Sequence, residues 1–177
     1  MTVFEQAFQV VVGNEGGFST NPADPGNWTG GACGKGKCNG TKYGISAASY
    51  PNLDIAALTL DAAEAIYQRD YWQRVRGDEL PPSLALLVFD AAVNSGVSRA
   101  IRWLQAVVAV EVDGVLGPKS MAAIAACAGK GAAILAEFQV QRIMFMTSLP
   151  TWRTFGLGWA RRVCQMQFAA LQIGGAK

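Results

Sequence analysis

Not one residue of this chain is a histidine. That absence removes the Ser-His-Asp triad, the Cys-His peptidase pair and the usual zinc-amidase ligand set, each of which needs an imidazole as base or ligand. Acid-base chemistry is left to the thirteen carboxylates. Charge is scarce as well. Only 16% of residues carry one and the net charge is +2, too little for a nucleic-acid footprint, and no basic stripe is interleaved with aromatics. The balance is compatible with an anionic polymer such as a cell wall. No stretch of about twenty apolar residues could span a bilayer, so stable membrane insertion is not expected. The opening Met1 to Val12 has no basic start and carries Glu5, Gln6 and Gln9, so it does not read as a secretory signal. Disorder is excluded by a hydrophobic content of 51%, and 177 residues suit one domain with its own core.

Cysteine is also sparse: four residues allow three pairings. Cys33 and Cys38 enclose a short glycine- and lysine-rich loop, and a disulfide between them is predicted if the protein works outside the cytoplasm. Free thiols or a metal site are the alternatives. A metal needs several soft ligands converging, and Cys127 and Cys164 lie in apolar helical runs, where buried unpaired packing is the expectation. Neither a metal nor a cofactor is expected.

What the chain does have is concentrated between Asn14 and Ser46. Phe4, Ala7, Phe8, Val11 and Val12 recur at helical spacing, so Thr2 to Gly13 reads as a helix and Glu15 emerges where its apolar surface ends. Desolvation there raises a carboxyl pKa, as a general acid near neutral pH requires. Gly16 and Gly17 leave room beside it for a bulky ligand. Asp24 sits in Pro22-Ala23-Asp24-Pro25-Gly26, a turn that keeps a carboxylate solvated and ionised. One protonated and one ionised carboxyl group is the division of labour that cleaves a glycosidic bond. A glutamate ending a helix and an aspartate in a turn explain the same residues without any chemistry, and residue types alone do not choose between the two.

Further on, Thr59 to Val75 is a helix capped by Thr59 or Asp61, in which Tyr67, Tyr71 and Trp72 suit packing better than sugar stacking. Leu84 to Asn94, opened by Pro81-Pro82-Ser83, is apolar nearly all round and is the expected central helix. Asp90 and Asn94 interrupt it one turn apart; interior hydrogen bonding or the wall of a sugar-binding groove would explain them. Val97 to Val110, Ser120 to Cys127 and Gly131 to Ser148 continue as helices. The turn Asp113-Gly114 through Gly117-Pro118 is explained by its glycines and proline alone. The segment Pro150 to Ile173 is expected to dock Trp159 and Phe168 in the core with its arginines facing water, rather than to touch a membrane surface. The reading is mainly α, a two-lobed helical domain with at most a small β-hairpin between Asn27 and Ile45.

The run Glu15-Gly16-Gly17-Phe18, then Asn21-Pro22-Ala23-Asp24-Pro25-Gly26, then Thr41-Lys42-Tyr43-Gly44-Ile45, resembles the signature of the phage-type N-acetylmuramidases of glycoside hydrolase family 108. Ile66-Tyr67 through Tyr71-Trp72, Phe89-Asp90 through Asn94-Ser95-Gly96, Leu104-Gln105, Asp113-Gly114 through Gly117-Pro118, and Gly158-Trp159 with Arg162 extend the likeness over nearly the whole chain. The resemblance implies one lysozyme-like muramidase domain over 1–177, with a catalytic part at 1–95 and a helical part at 96–177 similar to the family's predicted peptidoglycan-binding region. It implies Glu15 as catalytic acid, Asp24 as second carboxylate, Thr41 as the residue that positions water or substrate, and Tyr43, with Asp90 and Asn94, lining the groove. The implied activity is hydrolysis of the β-1,4 bond between N-acetylmuramic acid and N-acetylglucosamine in bacterial peptidoglycan. Such a lysis protein would be a monomer made in a host cytoplasm and acting on the wall after delivery by another factor. A lytic transglycosylase and a non-catalytic wall-binding module are the rival functions. One departure stands out: family members pass almost directly from the proline-glycine turn to the threonine, whereas Asn27 to Gly40 is inserted here, which bears on how Asp24 and Thr41 are spaced.

Overall fold

The computed structural model describes residues 1–13 and 17–175. Among them are seven α-helices and one two-stranded sheet, a mainly α architecture as the periodicity predicts. Contacts divide the chain into two compact units, Met1–Ala7 with Arg69–Lys177, and Phe8–Gln68.

Helix α1, Val3–Val11, starts from a reciprocal cap. The Thr2 amide donates to Glu5 Oε2 at 2.7 Å and the Glu5 amide donates to Thr2 Oγ1 at 3.1 Å, so two otherwise unpaired N–H groups are satisfied. Phe4, Ala7, Phe8 and Val11 are buried, which is the spacing that defined the helix. It stops at Gly13, whose φ of 64° only glycine adopts freely.

The larger unit is built around α3, Pro82–Ser95. Leu84 through Ala92 are all buried, because the helix is in contact with α4 (Val97–Val107), α6 (Gly131–Thr147) and α7 (Trp152–Gly175). Each fully buried leucine or phenylalanine there contributes on the order of 1.5–3 kcal/mol. Trp72 is fully buried, with ring centroids 5.4 Å from Phe4 and 5.6 Å from Phe89, and its indole N–H donates to Asp78 Oδ1 at 2.9 Å. The packing reading of that aromatic holds. The cap of α2, Leu60–Tyr67, is Thr59, whose side chain accepts from the Ala62 amide; the helix then loosens into a π-turn at Gln68–Trp72.

The Asp113-Gly114 turn is fastened from inside. Gln105, almost fully buried, donates through Nε2 to Asp113 Oδ1 (2.7 Å), Val115 O and Ser120 Oγ, and accepts the Gly114 amide on Oε1 at 2.8 Å. This network accounts for Leu104-Gln105 and Asp113-Gly114 occurring together without invoking any ligand. The bond from Gln105 holds the Asp113 carboxyl below its ordinary pKa, helped by the Val115 amide and the Arg102 charge. A depressed pKa stabilises the folded state above the unfolded value and loses that contribution as pH falls through the folded one. The thermal midpoint is therefore expected to drop as pH goes below about 4, and Asp113→Asn should flatten part of that drop; an identical acid limb in a melting series would remove the turn from the explanation.

Three expectations are corrected in α7 and its neighbours. Phe168 is 64% exposed, not docked, because the buried stripe of the helix is Gly156, Val163, Met166 and Ala170 and position 168 falls off it. Arg162 is only partly exposed and reaches Asp90. Cys164 is exposed and Cys127 half-buried, so neither is the buried packing residue expected. Among the described residues, no helix is long and apolar enough to cross a membrane.

Candidate functional site

The smaller unit carries the polar signature. Glu15, the expected acid, lies outside the described residues, as do Asn14 and Gly16. Asp24 caps a short 3-10 turn, Pro25–Asn27, by accepting the Gly26 amide on Oδ1 at 2.8 Å. It is exposed, as a turn-borne carboxylate with a solvated charge should be.

The strands β1, Thr41–Lys42, and β2, Ile45–Ser46, pair antiparallel with Thr41 opposite Ser46 and Lys42 opposite Ile45. The connecting residues, Tyr43 and Gly44, have φ of 51° and 74°. Two positive φ values in a two-residue loop match the twist of the strands it joins. Tyr67 supports the turn by donating its hydroxyl to Tyr43 O at 3.0 Å, and a Cβ on Gly44 would lie 2.4 Å from that hydroxyl. Tyr67 is itself buried against Phe8 at 5.6 Å. The Tyr43 side chain is half-buried, with Lys42 Nζ 5.5 Å from its ring centroid.

Asn27 joins these pieces, and sequence reasoning did not single it out. It is fully buried in a polar loop. Its backbone amide donates to Asp24 O at 3.1 Å and its carbonyl accepts the Gly40 amide at 3.1 Å. Its side chain donates through Nδ2 to Asn21 O at 2.9 Å and accepts the Thr41 hydroxyl on Oδ1 at 2.7 Å. Because the Thr41 hydroxyl proton is committed to Asn27, the oxygen meets any further partner as an acceptor only. Asp24 and Thr41 are thus brought together through one residue. The signal available was the run of Asn21, Asp24 and Asn27 at intervals of three, residue types that fasten turns with their side chains. Asn27→Leu should leave buried partners unsatisfied and lower stability by roughly 1–3 kcal/mol; a urea midpoint equal to wild type would dismiss this hub.

The same bonds show what the insertion does. Thr29 N donates to Lys37 O and Gly30 N to Lys35 O, while Trp28 and Cys38 form an isolated antiparallel bridge. Asn27 and Gly40 meet at its base, so the extra residues close on themselves and the Asp24–Thr41 spacing does not stretch to contain them. Cys38, at the base of this ladder, directs its thiol to Thr20 O at 3.6 Å, and Cys33 is exposed at the tip. The expected Cys33–Cys38 bond is not formed in this structure, where both are free thiols.

Asp90 and Asn94 belong to the larger unit. Asp90, expected to hydrogen-bond internally or to wall a groove, has no solvent exposure. Its Oδ1 accepts from Arg162 Nε at 2.8 Å and Nη2 at 2.5 Å. Arg142, also fully buried, brings Nη2 within 2.7 Å of Oδ2, an ion-pair distance without the alignment of a hydrogen bond. Gln139 accepts from Arg142 Nη1 at 3.1 Å. A carboxylate enclosed in this way cannot touch a glycan, so the groove-wall assignment of Asp90 is withdrawn. Asn94, one turn on, is exposed and accepts from Ser95 Oγ at 3.2 Å.

Comparison with known proteins agrees with this picture. The family model described as glycosyl hydrolase 108 matches residues 8–96, about half of the chain and all of the polar signature. Among solved structures, that of SagA from Brucella abortus superposes with a TM-score of 0.81 at 33% identity, over 98% of this chain and 97% of that one. A search of curated proteins gives no match.

Proposed function

Because the chain belongs to the glycosyl hydrolase 108 family and is therefore a glycoside hydrolase, we propose that its substrate is bacterial peptidoglycan and that it hydrolyses the β-1,4 bond between N-acetylmuramic acid and N-acetylglucosamine. The observation that carries the reading is the Asp24–Asn27–Thr41 arrangement inside the matched segment. An exposed carboxylate and a hydroxyl of fixed polarity, tied through one buried amide, suit the face from which water approaches.

In the proposed reaction Glu15 donates its proton to the leaving glycosidic oxygen as the bond to the anomeric carbon breaks. Asp24 stabilises the positive charge that develops on the sugar or takes a proton from the attacking water. Thr41, accepting a hydrogen bond, orients that water, while Tyr43 borders the bound strand. Water supplies a hydroxyl to the anomeric carbon and its remaining proton restores the carboxyl pair. A zinc or triad mechanism has no histidine to use.

The test is the mass of the muropeptides released from purified sacculi. Fragments gaining one water and ending in reducing N-acetylmuramic acid are expected. Anhydro ends would replace the reading with transglycosylation, reducing N-acetylglucosamine ends would move the cut to the other bond, and retention on the wall without release would leave only a binding module.

A further inference from the structure

The smaller unit also holds a cavity of about 480 Å³ whose walls include Phe18, Lys37, Asn39, Asn52 and Asp54. It lies beside the site just described. Ser19 and Thr41 exchange both backbone hydrogen bonds, at 2.9 and 2.8 Å, so Phe18 and Asn39 are one and two residues from the pair that carries the Thr41 hydroxyl. Three of its lining residues, Lys37, Cys38 and Asn39, come from the inserted hairpin.

We propose that this cavity is a saccharide subsite selecting muramyl residues, in which Phe18 stacks on the sugar ring and Lys37 meets the acidic substituent that a muramyl unit carries and a plain N-acetylglucosamine unit lacks. The inference rests on the peptidoglycan reading and adds a specificity determinant to it. Phe18 is 47% exposed, a large ring left uncovered where a cavity opens. Its position is fixed from behind: Gly40, at φ 87°, approaches so closely that a Cβ would lie 2.7 Å from the ring and 2.6 Å from Ser19 O. An aromatic face held in this way suits the apolar face of a pyranose.

The polar groups sort themselves by what already occupies them. Asp54 Oδ1 accepts the Ala57 amide at 3.1 Å, which orients the carboxylate while it keeps its negative charge, so the anion is met at the Lys37 side of the cavity; the Cys38 thiol is directed to Thr20 O. Lys42 is engaged with Ala56 O at 3.0 Å and does not line the cavity. Lys37 is thus the one cationic residue among the cavity's lining residues, and Asn39 and Asn52 offer amides to acetamido and hydroxyl groups. A free carboxylate on the lactyl-linked peptide stem is the anion of matching chemistry.

The experiment compares two uncleaved ligands on the full chain carrying Glu15→Gln, by isothermal titration: a peptidoglycan tetrasaccharide with its stem peptides, and chitotetraose. The muramyl ligand is expected to bind about fivefold more tightly, the size of an exposed ion pair. Lys37→Gln should bring the ratio to near one without changing chitotetraose binding, and raised salt should do the same. Phe18→Ala should weaken both ligands by about tenfold. Folding of each variant is checked by its thermal melt, both side chains being exposed. A ratio unchanged by Lys37→Gln, or affinities unchanged by Phe18→Ala, overturns the subsite. Wild-type clearing of sacculi, run in parallel, separates the failures: clearing with an unaltered ratio rejects the subsite alone, whereas no clearing and no binding of either ligand rejects the peptidoglycan reading beneath it.

Discussion

Asp90→Asn is expected to destabilise the protein by about 3–5 kcal/mol, the cost of removing one partner from a buried ion pair. Asparagine fits the space but leaves Arg142, with no solvent exposure, carrying a charge in the interior opposite a neutral amide. Arg162 suffers less, since its side chain is 34% exposed and can turn its head to water. Against a total stability of roughly 5–15 kcal/mol, the loss should be plain in the urea midpoint. The double replacement Asp90→Leu with Arg142→Met should recover a large part of it, because apolar residues of similar size remove the desolvation penalty together with the pair. A shift below about 1 kcal/mol for Asp90→Asn would mean that the arginines are already neutralised by something other than Asp90. The same variant separates structure from chemistry: its folded fraction, assayed at low temperature, should hydrolyse at the wild-type rate per folded molecule, because Asp90 holds helices and touches no substrate.

How far such features can be read from sequence depends on the range of the interaction. The helical spacing of apolar residues in α1 and the proline-opened apolar run of α3 each lie within one helix; both are local patterns and both are legible. The Asp90–Arg162 bond joins residues 72 apart, and no periodicity says which arginine on α7 will meet a carboxylate on α3. Phe168 failed for the same reason: several faces of α7 carry large apolar residues, and its partners α3 and α6 select the one built from Gly156, Val163, Met166 and Ala170. Nor did loop composition reveal Asn27. A buried asparagine among exposed ones looks like any turn residue until its four hydrogen bonds are seen. The turns that carry Asp24, Thr41 and Tyr43 were legible because their neighbours have fixed backbone demands: proline and glycine after Asp24, glycine after Tyr43.

Glu15→Gln is expected to lower the rate of wall hydrolysis by about three orders of magnitude or more, the range of general acid catalysis, with little change in thermal stability. Glutamine matches the shape but has no proton to give to the leaving oxygen. The companion substitutions divide the remaining roles. Asp24→Asn keeps an oxygen for the Gly26 amide, and asparagine caps such a turn as well as aspartate does, so the fold of the loop is retained and any fall in rate measures the missing negative charge. Thr41→Ser keeps the hydroxyl that donates to Asn27, whereas Thr41→Val removes it; activity retained in the first and lost in the second would assign the effect to the oxygen and not to the methyl group. The pH profiles add an independent reading. In wild type the alkaline limb of kcat/KM reports loss of the acid's proton, and in the glutamine variant that limb should disappear along with most of the rate. Near-normal clearing by a folded Glu15→Gln protein, with its alkaline limb intact, would transfer the proton donor to another carboxyl group and leave Asp24 and Thr41 as turn residues with no part in the chemistry.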